Sequence, residues 1–258
     1  MKNTDTPEES EIIIQKLPSD IGIHRNPRKG TLNAPERILE ASDIGAKVLI
    51  DEVFPDEFSL EETHDRIEKN TETLIEYERP LVSIGGDHSV SYPVLKVLKK
   101  KFPDLRLVWL DAHLDLKEKV NNHVSHDVVV RELLDNGFSE EDIVFVGITE
   151  IDHDEKEFLA EHDLQVYMAD EVGKFIEEYC FSDKTYMSVD IDVLKKEEAP
   201  GTGYPDGQLS VEEVEKVIEK VSPEYSDLVE VAPSLDENGK TVENAGKILG
   251  QLLENISQ

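Results

Sequence analysis

Short apolar runs rich in β-branched residues alternate with longer amphipathic stretches along nearly the whole chain. The runs at 11–17, 46–53, 80–84, 105–110, 142–147, 164–168, 184–189 and 226–231 carry the composition and length of strands. Between them, 35–41, 59–78, 89–100, 127–136, 154–161, 170–179, 211–221 and 242–256 carry helical periodicity. Regular alternation of this kind predicts a parallel sheet of about eight strands with helices on both faces. Ser59 and Ser210 stand three residues before Glu62 and Glu213, the spacing of a capping box at a helix start.

A chain of 258 residues with 38% hydrophobic content can bury one substantial core. No Pro/Gly/Ser-rich linker, internal repeat or low-complexity block divides it, so 1–258 is expected to form a single domain, with 1–10 as a flexible tail. The 58 acidic against 27 basic residues give a net charge of −31, which repels nucleic acids and anionic membrane surfaces. Such an excess suits solubility in a salty cytoplasm first, and the steering of cationic small molecules second. Cys180 is the only cysteine, which excludes an intramolecular disulfide and a thiolate metal cluster. No run approaches the roughly 20 apolar residues of a membrane span, and no signal sequence opens the chain. A soluble cytoplasmic protein is expected.

Three acidic and histidine clusters follow apolar runs: Gly85-Gly86-Asp87-His88-Ser89, Asp111-Ala112-His113-Leu114-Asp115 and Asp190-Ile191-Asp192. In open parallel sheets, ligand sites form at the C-terminal strand ends, so the clusters are expected to converge on one crevice. A lone Asp there usually caps the next helix, and that reading fits Asp87. The alternating Asp-x-His-x-Asp and Asp-x-Asp patterns fit it less well. Residues two apart share a face, and carboxylates brought together that way repel unless cations bind. His88, Asp111, His113, Asp115, Asp190 and Asp192 therefore form a candidate ligand set of oxygen and imidazole donors. That set suits two Mn²⁺ ions, with other divalent metals open. Paired divalent ions about 3.5–4 Å apart activate a water for hydrolysis near neutral pH.

These segments, in this order and followed by Pro200-Gly201-Thr202-Gly203-Tyr204-Pro205, resemble the ureohydrolase family of arginase, agmatinase, guanidinobutyrase and formimidoylglutamase. Gly22 through Arg37, Leu228-Val229-Glu230-Val231-Ala232-Pro233, and Thr241 through Ala245 extend the resemblance over most of the chain. It implies a three-layer αβα sandwich with a mostly parallel sheet. It also implies that His88, Asp111, Asp115 and Asp190 hold one metal while Asp111, His113, Asp190 and Asp192 hold the other. Glu230 is expected to meet the substrate's guanidinium, since a carboxylate ending an apolar strand needs a partner; an ion pair with a nearby Arg such as Arg37 is the structural alternative. His126 is expected to shuttle a proton to the leaving amine, with His123 second. His126, Glu230 and Asp115 are thus the expected catalytic residues. Relatives are commonly trimers or hexamers, so a homo-oligomer is expected.

The resemblance leaves the substrate as a small cationic guanidino compound. Ser125-His126 looks like the agmatinase pattern, and an acidic protein field favours a more cationic substrate, so agmatine ranks first and arginine second. Asn121 and Ser125 are hydrogen-bonding candidates for the substrate's far end. Guanidinobutyrase and formimidoylglutamase activities rank behind. A metal-binding protein without turnover is the non-enzymatic alternative, and a phosphoesterase is disfavoured by the lack of a basic clamp. Lys195-Lys196 depart from the family pattern and are read as a loop bordering the approach. Gly201 and Gly203 are expected at positive φ in a tight rim loop. Trp109 reads as core, and His24, His64, His153 and His162 as surface residues.

Overall fold

The structure, a computed structural model, describes residues 2–23, 28–180 and 184–256. In chain order the elements are β1 (Lys2–Asn3), β2 (Ile12–Leu17), α1 (Ala34–Ala41), β3 (Lys47–Glu52), α2 (Leu60–Leu74), β4 (Leu81–Gly85), α3 (Ser91–Lys101), β5 (Arg106–Leu110) and α4 (Val129–Asp135). There follow β6 (Ile143–Ile148), α5 (His153–Leu159), β7 (Gln165–Met168), α6 (Val172–Glu178), β8 (Thr185–Asp190), α7 (Val211–Val221), β9 (Tyr225–Val229) and α8 (Lys240–Ile256). The strands form one parallel sheet in the order β1-β3-β2-β4-β9-β8-β5-β6-β7.

Successive strand residues serve opposite faces. Ile12 and Ile14 of β2 join Val82, Val108 and Met187 against Ile38 of α1, Ile218 of α7 and Leu252 of α8. Ile13, between them, joins Leu107, Trp109 and Tyr186 against Ile67 of α2, Val94 of α3 and Leu133 of α4. Both faces of the central strands are therefore covered, which gives the three-layer αβα sandwich and explains why those strands read as continuous apolar runs. The polar residues inside them have partners: Ser83 donates to Gln15, whose amide donates to Asn70 and Thr71.

Local chemistry sets the helix starts. The Ser59 hydroxyl accepts from the Glu62 amide at 3.1 Å, and Ser210 and Glu213 exchange bonds at 2.8 and 3.3 Å in a complete capping box. All eight expected strands are present, each within two residues of its expected ends. The ninth, β1, falls within the segment 1–10: Lys2 and Asn3 pair with Lys47 and Val48. Edge pairing of two residues satisfies backbone groups of β3 and needs no side-chain pattern, so hydropathy could not show it.

The sheet order places the ends of β4, β9, β8 and β5 side by side. These four strands lead directly into His88, Glu230, Asp190-to-Asp192 and Asp111-to-Asp115. Gly86 lets the loop after β2 close over this edge: its amide donates to Leu17 O at 2.9 Å, and a Cβ there would lie 1.8 Å from Ser19 O.

Candidate metal centre and substrate cavity

Asp87 begins the site as a scaffold. One oxygen accepts from the Ser89 amide at 3.1 Å, and the other takes Ser19 Oγ and the Gly22 amide, each at 3.1 Å. It caps the turn that aims His88, as expected for a helix cap.

His88 Nδ1 lies 3.3 Å from Asp111, 3.3 Å from Asp115 and 3.1 Å from Asp190. His113 Nδ1 lies 3.4 Å from Asp111 and 3.1 Å from Asp192. Two groups suited to a cation result, one of His88, Asp111 and Asp115 and one of Asp111, His113 and Asp192, with Asp111 common to both. Asp190 reaches the first through His88, and its Oδ1 accepts the Asp192 amide at 2.8 Å. The structure thus brings together all six candidate ligands.

Electrostatics favour a cation here. Burial, with repulsion from Asp111, pushes the Asp115 carboxyl well above the usual carboxylate range, and burial with repulsion from Asp192 and Asp111 does the same to Asp190. Burial raises Asp192 to about 6. Burial opposes charge on Asp111 as well, but hydrogen bonds from His113 and His88 outweigh it and hold that group low. Both imidazoles are held above their ordinary range: against burial, by hydrogen bonds to Asp111 and Asp190 at His88 and by the Asp192 charge at His113. Packed carboxylates that draw protons this strongly are a site for positive charge. His88 Nδ1 and Asp111 Oδ2 are buried without a hydrogen bond of ordinary geometry inside the protein, as donor atoms for a divalent ion would be.

Glu230 follows β9 at φ 61°, and Asp115 sits at φ 51°. Left-handed backbone is unfavourable for both residue types, a cost of about 1–2 kcal/mol each that packing sustains at functional positions. Glu230 Oε1 accepts the His88 amide at 2.8 Å, and its own amide donates to Gly86 O at 2.9 Å. Burial, then the Asp87 charge, raises its carboxyl to about 8. Arg37 instead pairs with Glu40 at 3.6 Å, so the alternative of a Glu230–Arg37 ion pair falls away.

A cavity of about 220 Å³ opens over these groups, lined by His88, His113, Asp115, Asp190, Asp192 and Glu230, with His126 and Tyr204 above. His126 Nδ1 lies 3.9 Å from Glu230, and its ring lies nearly parallel to Tyr204 at 6.2 Å. The rest of the wall, here termed the outer wall, carries Asp127, Glu150, Asp152 and Glu155, Asp206 at 3.5 Å from His113 Nε2, and Lys117, which bridges to Asp152 at 2.7 Å.

Several expectations are corrected. Asn121 is exposed on a left-handed turn, and Ser125 is buried with its hydroxyl donated to Asp127 at 2.5 Å; neither lines the cavity. His123 does not line it either. Lys195 and Lys196 are exposed and away from it, while Glu198 caps α7 through the Val211 amide at 2.7 Å. Gly201 and Gly203 have no positive φ; Gly201 is required because Asp236 Cβ would lie 2.6 Å from an added Cβ. His64 is buried rather than on the surface, and His162 is half-buried against Glu140 at 2.7 Å; His153 is exposed as expected, and His24 lies outside the described residues. The sequence reasoning missed Lys117, Glu150, Asp152, Glu155 and Asp206. Glu150-x-Asp152 after β6 repeats the acid-x-acid spacing at a strand end that marked Asp190 and Asp192, and applying that rule to every strand would have found it.

A parallel sandwich whose central strand ends deliver two shared-carboxylate clusters is the architecture of a binuclear metallohydrolase. The arginase family profile matches residues 10–254, and the chain belongs to the arginase family. It is 30% identical to an agmatinase of Bacillus cereus, over 95% of this chain and 92% of that one. It is 29% identical to an arginase of Staphylococcus aureus, over 73% and 72% of the two chains. The proclavaminate amidino hydrolase of Streptomyces clavuligerus shares the fold, with a TM-score of 0.87 at 24% identity over 99% of this chain and 95% of that one. The protein is accordingly a hydrolase of a family that acts on guanidino C–N bonds. Among the described residues no helix is long and apolar enough to cross a membrane.

Proposed function

We propose that this hydrolase converts agmatine and water to putrescine and urea with two manganese ions. The observation that carries the choice of agmatine is the outer wall, where five carboxylates face one lysine among the described lining residues. A substrate with a second cation at its far end is drawn there, whereas an α-carboxylate is repelled. The identity to curated agmatinases supports the same reading.

On this reading His88, Asp111, Asp115 and Asp190 hold one ion, and Asp111, His113, Asp190 and Asp192 the other. Bound there, the pair supplies positive charge and a water of lowered pKa. The chain's own residues do the rest. Glu230 accepts charge-assisted hydrogen bonds from the guanidinium and fixes its plane. His126, beside Glu230 and Tyr204, gives a proton to the departing amine nitrogen as the C–N bond breaks. Tyr204 covers the cavity beside both His113 and His126 and limits bulk water. A chain with Cys180 as its only cysteine suits the cytoplasm. Exposed Leu32 and Phe54 suit burial in a homo-oligomer, trimeric or hexameric.

Lys117 favours a second reading, because its ammonium would pair with the α-carboxylate of arginine if Asp152 released it. The deciding measurement is urea release by Mn²⁺-loaded protein, with agmatine and arginine in parallel at several salt concentrations. Preference for agmatine is expected. Preference for arginine overturns the assignment of the outer wall, and urea from neither moves the substrate to formimino compounds or shorter guanidino acids.

A further inference from the structure

Behind the His88 ring, on the side away from the cavity, three polar side chains form a chain that the chemistry above does not use. Tyr186 OH donates to Asp227 Oδ2 at 2.6 Å, Ser188 Oγ donates to Asp227 Oδ1 at 2.7 Å, and His88 Nε2 lies 2.8 Å from Ser188 Oγ. Tyr186, Ser188 and Asp227 are all at most 1% exposed. Asp227 stands in the middle of β9 and Ser188 faces it across the β8–β9 pairing, so backbone registration holds the chain together. A buried carboxylate at the centre of a sheet is costly, and here two hydroxyl donors compensate it, with no basic partner among the described residues.

The direction of these bonds follows from proton counting. Ser188 has one hydroxyl proton, and Asp227 takes it. The serine oxygen can therefore only accept from the imidazole, so Nε2 carries a proton and Nδ1 is the atom turned to Asp111, Asp115 and Asp190. The ring's plane is fixed separately by Trp109, parallel to it at 4.0 Å. We propose that Asp227, acting through Ser188, is a positioning residue that determines which nitrogen of His88 serves the metal centre. Without the carboxylate, the Ser188 proton is free to point at Nε2 and stabilise the opposite tautomer, which presents N–H to the cluster in place of a lone pair. The proposal rests on the metal-centre reading, but the hydrogen bond from His88 Nε2 to Ser188 can be read without metal.

The test compares the unaltered protein with Ser188→Ala and Asp227→Asn. In calorimetric Mn²⁺ titrations, one class of site should weaken by about 10–100-fold, the range for loss of an outer partner of a metal-bound histidine. The class built on His113 should hold. In metal-free ¹⁵N-histidine-labelled protein, His88 Nε2–H should appear as a slowly exchanging, hydrogen-bonded proton whose exchange Ser188→Ala speeds, while the His113 signals persist. Equal weakening of both metal classes, unchanged binding, or an Nε2–H exchange rate that Ser188→Ala leaves unaltered would overturn the proposal. Should Asp227→Asn fail to fold, Ser188→Ala, which removes one buried hydroxyl, decides alone. An unaltered protein that binds no Mn²⁺ sinks the metal-centre reading, and the proton signal still decides the role of Ser188.

Discussion

The imidazole of His88 lies face to face with the indole of Trp109, ring centroids 4.0 Å apart and planes within 3°. Trp109 is the only tryptophan in the chain, so the protein's indole fluorescence reports on one ligand of the candidate metal centre. Mn²⁺, a paramagnetic ion, should quench that emission in a saturable manner with the same midpoint as binding measured by calorimetry. An emission spectrum that stays constant through saturation would separate His88 from the metal.

Asp111 belongs to both cation groups and, with Asp190, is read as holding both ions, whereas Asp115 belongs to one. Asp111→Asn should therefore lose both equivalents of metal, and with them turnover, by more than the 10–100-fold typical of changes one shell further out. Asp115→Asn should retain one equivalent, held by Asp111, His113, Asp190 and Asp192. Metal content by mass spectrometry of dialysed protein distinguishes the two outcomes; two equivalents retained in Asp111→Asn would end its bridging role.

Glu230 contacts the His88 backbone but neither cation group includes its carboxylate. Glu230→Gln should leave both metals bound and lower kcat/KM for guanidino substrates by about 10–100-fold, the equivalent of one charge-assisted hydrogen bond. Loss of metal in that variant, or unchanged kinetics, would contradict a role confined to the substrate.

His64, on α2, is held neutral: burial pushes its imidazole down from its usual 6.5 to about 4. Between those values the unfolded chain binds a proton that the folded chain does not. The contribution to stability is thus complete above pH 6.5 and is lost as pH falls toward 4, a change of up to about 3 kcal/mol. Urea denaturation near pH 7 and pH 4.5 should show a smaller acid loss in His64→Leu than in the unaltered protein. Equal losses would place the titration elsewhere.

The strands and ligand clusters were legible because two strong local signals coincide: apolar runs of strand length, and acidic groups two apart at their ends. Glu230 was legible for a related reason, as a carboxylate ending an apolar strand. The failures follow from geometry that no local pattern carries. His64 lies on the inner face of α2, and polar neighbours in sequence, Thr63 and Asp65, disguise a position set by helical rotation. Ser125 has the right chemistry for a substrate, but its hydroxyl turns back to Asp127, a choice of rotamer that sequence does not specify. Ser188 and Asp227 sit at 39 residues' separation, and their meeting depends on β9 lying beside β8, which strand prediction alone does not say.

That placement of β9 has a consequence for how the molecule is made. The last strand of the chain is fifth of nine in the sheet, with β1 to β4 on one flank and β5 to β8 on the other. Without Tyr225–Val229, no strand ladder joins the β1–β4 flank to the β5–β8 flank, because β4 and β8 each pair with β9 and not with one another. His88 and Asp111 belong to different halves. One strand therefore both closes the sheet and carries Glu230 to the site, and a chain ending before residue 225 has neither a continuous sheet nor Glu230.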